Sequence, residues 1–179
     1  MKASCKNGEW GMYQIGEKVV YGIHGVCVVI NQEEQVVNRK RVTYLVLEPI
    51  GQEGSRYLIP THNTAAMAKL RRVLTKMEFE ELIGSERVHT SCWIQDENQR
   101  KQAYRELISG GEREKLMQMT HTLYRYKAAQ EATSRKFHLC DENFLRDAEK
   151  LLAGEAALIL DLDADAARQY IRSKLKEDA

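Results

Sequence analysis

Long hydrophobic runs are what this sequence most clearly lacks. No uncharged apolar stretch approaches the roughly 18 to 20 residues that a membrane-spanning helix needs. The opening MKASCKNGEWGMY has no apolar segment of signal-peptide length after its lysine. Both absences lead us to expect a cytoplasmic protein with no membrane partner. Proline is scarce, at two residues, and cysteine is limited to four. Cys5, Cys27, Cys92 and Cys140 include no C-x-x-C pair, so neither a zinc cage nor a disulfide framework is legible and reduced thiols are expected. Net charge is nearly absent too. Twenty-seven basic against 26 acidic side chains leave +1 over 179 residues, which excludes a polybasic nucleic-acid coat and an acidic tail protein. The chain also has no G-x-x-x-x-G-K phosphate loop, dinucleotide fingerprint or nucleophile elbow. No enzyme, cofactor or metal is therefore expected.

What is present is strongly patterned. From Lys18 to Pro60 the segments KVVYG, GVCVVINQ, RVTYLVLEP and SRYLIP are rich in Val, Ile and Tyr and are broken at Gly22 to Gly25, Val37-Asn38-Arg39 and Gly51 to Gly54. This predicts four or five short antiparallel strands in a small, strongly bent sheet or barrel that ends at Pro60 and Thr61. Beyond Thr61 the period moves toward 3.6. Ala65 to Leu70 reads as a helical turn, and KMEFEELIG after Thr75 as a connector helix stopped by Gly84. Residues 85–95, SERVHTSCWIQ, carry no helical face and read as a hinge. Four helices are then expected. The first is capped by Asp96, carries Arg100, Ala103, Tyr104, Leu107 and Ile108 on one face, and stops at Ser109-Gly110-Gly111. The second starts at Glu112, the third at Asp141 with Phe144, Ala148, Leu151, Leu152 and Glu155 on one side, and the last is capped by Asp163 or Asp165. The class is α+β, an N-terminal antiparallel barrel followed by a C-terminal all-α bundle.

Charge becomes informative once the chain is divided this way. Residues 100–136 hold nine basic and four acidic side chains, whereas 137–179 hold six and ten. His24 and Cys27 would point to opposite faces of a strand and do not make a thiol–base pair. Asp161, Asp163 and Asp165 imitate a calcium loop, but Ala166 and Arg172 stand where its glycine and glutamate are needed; helix capping explains the run better. Trp93 is the residue that stands out. It lies in a polar, non-periodic stretch just before Arg100, Lys101 and Arg105. An aromatic beside cations suits stacking on a base while holding phosphates. A structural tryptophan next to a solvated charged face is the alternative.

The order MYQIGEKVVYGIHGVCVV, RVTYLVLEP, LIP, a lone Trp, a helix ending in SG, and DENFLRDAEKLLAGEAALIL resembles the CarD/CdnL family of bacterial transcription regulators. The most specific pieces are Gly16 to Gly25 and Ala148 to Leu158. The resemblance implies a Tudor-like barrel, shared with transcription-repair coupling factors, that docks on the β subunit of RNA polymerase. It also implies a helical domain that contacts promoter DNA at the upstream edge of the melted bubble, with Trp93 as a minor-groove wedge that hinders bubble collapse. The expected DNA contacts are Trp93, Arg100, Lys101 and Arg105, with Arg125 and Lys127 behind them. The expected polymerase contacts are Gln35, Val37, Arg56, Tyr57 and Leu58. Gln35 and Leu58 depart from arginines that some members carry, and the interval from Trp93 to Gly110 runs about three residues longer than in some. The expected organisation is an extension over 1–11, a polymerase-interacting domain over 12–62, a connector and hinge over 63–95, and a DNA-binding domain over 96–179. A protein-interaction adaptor of the same architecture that never touches DNA is the second reading, and the sequence leaves the oligomeric state open.

Overall fold

In chain order, β1 (Lys18–Tyr21), a 3₁₀ turn (Gly22–His24), β2 (Val26–Val37), β3 (Lys40–Pro49), β4 (Tyr57–Pro60), α1 (Thr64–Met67) and β5 (Leu70–Arg72) make the first half. Helices α2 (Lys76–Ile83), α3 (Glu97–Gly110), α4 (Arg113–Ala132), α5 (Leu139–Leu160) and α6 (Ala164–Lys176) make the second. This computed structural model describes residues 13–52 and 54–176, so the expected extension over 1–11 lies outside the described residues.

Strands β1 to β4 form an antiparallel meander, and β5 returns to pair with β1, giving the order β4-β3-β2-β1-β5. The tip between β2 and β3 is a two-residue turn closed by the Val37–Lys40 pair. Asn38 and Arg39 there take φ of 51° and 64°, the left-handed pair whose twist suits a tight hairpin. A bulge between Val29 and Asn31 interrupts the β2–β3 ladder. Beyond it β1 no longer pairs with β2, and residues 34–37 and 40–43, which pair only with each other, form a two-stranded ribbon.

The sheet is open rather than the closed barrel expected from the sequence. β4 pairs only with β3 and β5 only with β1, so the two edges never form a ladder, and Ala66 and Met67 of α1 pack against the core instead. The sheet also outruns its expected end at Pro60. Strand β5, Leu-Arg-Arg, has no apolar alternation to announce it and exists because β1 supplies its ladder through Val19–Arg72, Val20–Arg71 and Tyr21–Leu70.

Helices α2 to α6 surround a second core that includes Phe79, Ile83, Val88, Leu123, Leu152 and Ile171. Their stops follow the expected chemistry. Asp96 accepts from the Gln99 amide at 2.8 Å, Asp163 accepts from the Asp165 and Ala166 amides, and Gly111 caps α3 at φ 66°. Thr75 and Glu78 close a capping box on α2. One expectation fails. Helix α5 starts at Leu139 after His138, not at Asp141, whose carboxylate is turned inward onto Arg100. In the segment over 85–95, Val88 is fully buried in the helical core and the Cys92 amide donates to Thr122 of α4.

The two halves touch through β1, β5 and the α3–α4 corner. Val19 faces the core of the sheet while its neighbour Val20 lines a small void with Leu116, Leu151 and Leu152 of the helices. Arg113 donates to Glu155 at 2.6 Å and to the Arg72 carbonyl. A side chain at Gly111 would bring its Cβ to 2.7 Å from the Arg71 guanidinium.

Candidate functional site

On the sheet, the expected contact residues are spread along β3: Tyr57 and Leu58 of β4 lie opposite Leu47 and Val46, whereas Gln35 and Val37 pair with Val42 and Lys40 toward the tip of the ribbon. β4 is an edge strand, and it pairs with β3 only from Tyr44 to Leu47, which leaves the ribbon free. Gln35, Val37 and Arg56 are exposed, Leu58 is 42% exposed, and Tyr57 is half-buried, its ring tilted against His24 at 4.1 Å. Val36, at 73% exposed, is an apolar side chain that the sequence reading passed over on the same ribbon. Unpaired edge backbone beside exposed apolar side chains is a template for another chain. Cys27 is fully buried. Burial pushes its thiol up to about 11, and His24, held below its usual range by burial and then by Lys69, stacks on Tyr21 and meets Tyr57 at a tilt. No group of three or more potential metal ligands gathers among the described residues.

In the helical half, the expected DNA residues do not share one role. Arg100 is corrected outright. It is 3% exposed and holds Asp141, itself 1% exposed, through two bonds of 3.0 Å, while donating to the Ile94 carbonyl at 2.8 Å. A guanidinium committed in that way is a structural cation, not a phosphate ligand. The signal was in the period: Arg100 occupies the same helical face as Ala103, Tyr104 and Leu107. Glu155, read on an apolar face of α5, likewise faces inward, onto Arg113. Lys101 is half-buried and paired with Glu97 one turn back, and Lys127 is half-buried against Glu142 at 3.4 Å. Arg105 and Arg125 are exposed, as are Arg135 and Lys136, which were not among the expected DNA contacts.

Trp93 is not a free side chain. It is half-buried and packs against the helical core. Its ring stacks on Tyr126 at 3.6 Å and 18°, and the Arg100 guanidinium lies 4.2 Å from its centroid. Tyr126 in turn meets Phe137 at 6.3 Å, and the Lys127 ammonium lies 5.7 Å over Phe137. The result is a row of three aromatic rings dressed with cations, of which sequence reasoning found one. Tyr126 carried a weak signal as an aromatic at the end of the apolar face of α4; Phe137 carried none.

No helix among the described residues is long and apolar enough to cross a membrane. Residues 13–74, about a third of the chain, match the family model described as the CarD-like/TRCF RID domain. No curated protein matches the chain.

Proposed function

We propose that the protein, whose residues 13–74 match the CarD-like/TRCF RID domain model, is a non-enzymatic transcription regulator that docks on the β subunit of RNA polymerase and stabilises the promoter open complex. The family match over residues 13–74 carries the reading. The docking surface is the β4 edge with the β2–β3 ribbon, where main-chain groups pair with a polymerase strand and Leu58 and Val37 fill apolar contacts. Tethering raises the local concentration of the helical half near DNA. There Trp93 meets the upstream edge of the bubble, with Arg105, Arg125, Arg135 and Lys136 as the exposed cations that meet phosphates. Unstacking a base step costs a few kcal/mol, so a wedge that hinders restacking by about 1.4 kcal/mol shifts the opening equilibrium about tenfold.

Leu58→Asp tests the docking surface. Co-purification with the β subunit is expected to be lost with melting unchanged, since Leu58 is exposed. Unchanged co-purification overturns the assignment. The adaptor reading keeps one observation in its favour, the commitment of Arg100 to Asp141. Salt-dependent retention of the chain on forked DNA separates the two, because each phosphate neutralised contributes about −0.9 to the slope of log affinity against log salt; an adaptor gives no retention.

A further inference from the structure

Residues 90–93 run along α4 and are fastened to it once per turn. The Gln118 amide donates to the Thr90 carbonyl at 3.1 Å, the Thr122 hydroxyl accepts from the Cys92 amide at 3.0 Å, and the Tyr126 ring stacks on Trp93 at 3.6 Å. Gln118, Thr122 and Tyr126 are spaced by four, the interval that places side chains on one helical face. From the other direction Arg100 reaches the indole at 4.2 Å and is itself fixed by Asp141 and the Ile94 carbonyl.

From this arrangement we infer that Tyr126 is a positioning residue for Trp93, holding the indole in a single orientation before any DNA is met, so that Trp93 acts as a preset wedge and not as a mobile one. The inference rests on the DNA reading given above. The reason is conformational. A free tryptophan inserted between bases loses its rotamer freedom on insertion, whereas a ring already clamped between a phenol and a guanidinium has lost that freedom in folding. The structure thus places the ordering cost in the fold of the helical half. The indole is half-buried, and its stacking partner sits on α4, whose Leu116, Met117, Met119 and Leu123 are buried in the helical core.

The test compares Tyr126→Phe, which keeps the ring, with Tyr126→Leu, which removes it, in the full chain. The readout is the decay of heparin-challenged open complexes formed with RNA polymerase on a promoter that the parent stabilises. Tyr126→Leu is expected to shorten the lifetime about two- to tenfold, Tyr126→Phe to retain it, and Tyr126→Leu added to Trp93→Ala to change nothing further. A parental lifetime for Tyr126→Leu overturns the inference when Trp93→Ala does shorten it. If Trp93→Ala itself leaves the lifetime unchanged, the DNA reading fails instead. Quenching by acrylamide in a Trp10→Phe protein gives a check that needs no change at Tyr126. Trp93 is expected to be partly shielded, and quenching as free as that of a fully exposed indole shows that the clamp is absent and overturns the inference.

Discussion

In the sheet half, Val19, Cys27, Val29, Leu47, Ile59 and Leu70 form a core without a charged member, whereas the helical half buries Arg100, Asp141, Glu149 and Glu155 among its apolar side chains. The difference follows from how each half satisfies its backbone. Ladder partners fix the register of strands, and the side chains between them need only alternate. Packed helices carry no such ladder between them, and here the buried pairs link distant segments: Arg100 on α3 to Asp141 on α5, Arg113 on α4 to Glu155 on α5. The helical half is therefore the one that a single polar substitution can unfasten.

The sharpest break in this comparison is Asp141→Ala. It leaves the Arg100 charge buried without its carboxylate, and loss of one partner of a buried pair costs about 3–5 kcal/mol. A lowered midpoint in urea unfolding is expected, together with greater quenching of Trp93, because Arg100 no longer holds the indole. Gly111→Ala comes next. At φ 66° a Cβ is strained by about 1–2 kcal/mol, and it meets the Arg71 guanidinium at the seam between the halves. A thermal scan is expected to show a drop of several degrees, while the same change at the neighbouring Gly110, which is exposed and has open space around it, leaves melting nearly unchanged.

The smallest effect concerns pH and sharpens the contrast inside the helical half. Burial pushes the Glu149 carboxyl up, but its bonds to Arg172 and Tyr124 outweigh burial and hold it below the ordinary carboxylate range. For Glu155 burial prevails over Arg113 and the carboxyl lies above that range. A depressed carboxyl adds stability that is present above its unfolded value and lost as pH falls through the folded one; a raised carboxyl favours folding below its unfolded value and gives that advantage up as pH rises. Glu149→Gln is expected to lose about 1 kcal/mol at neutral pH and to show a shallower fall in stability from pH 7 toward about pH 4. Urea titrations of parent and variant at the two pH values check this, and parallel curves contradict the role of Glu149.

Much of the fold was legible because its signals are local. The Asn38-Arg39 turn, the caps at Asp96 and Asp163 and the stop at Gly111 each depend on a few neighbouring residues, and α3, α4 and α6 stand within a few residues of where their periods placed them.

The rest depended on which segments meet. Strand β5 has no pattern of its own and is a strand only beside β1. The open edge between β4 and β5 is a matter of sheet closure, to which alternation is blind. The segment around Trp93 has no periodicity, yet a segment needs no period when its partners lie on α4, some 30 residues away in sequence. Arg100 and Asp141 are 41 positions apart, so a count of basic residues treated as surface charge a cation that folding neutralises. The sequence by itself determined the β2–β3 turn, the caps at Asp96 and Asp163 and the apolar faces of the helices, because these follow from backbone chemistry within a turn or two of helix. The tertiary structure alone decided which charges stay in water and in what orientation Trp93 is held, because burial and stacking are set by groups that the chain brings together only when it folds.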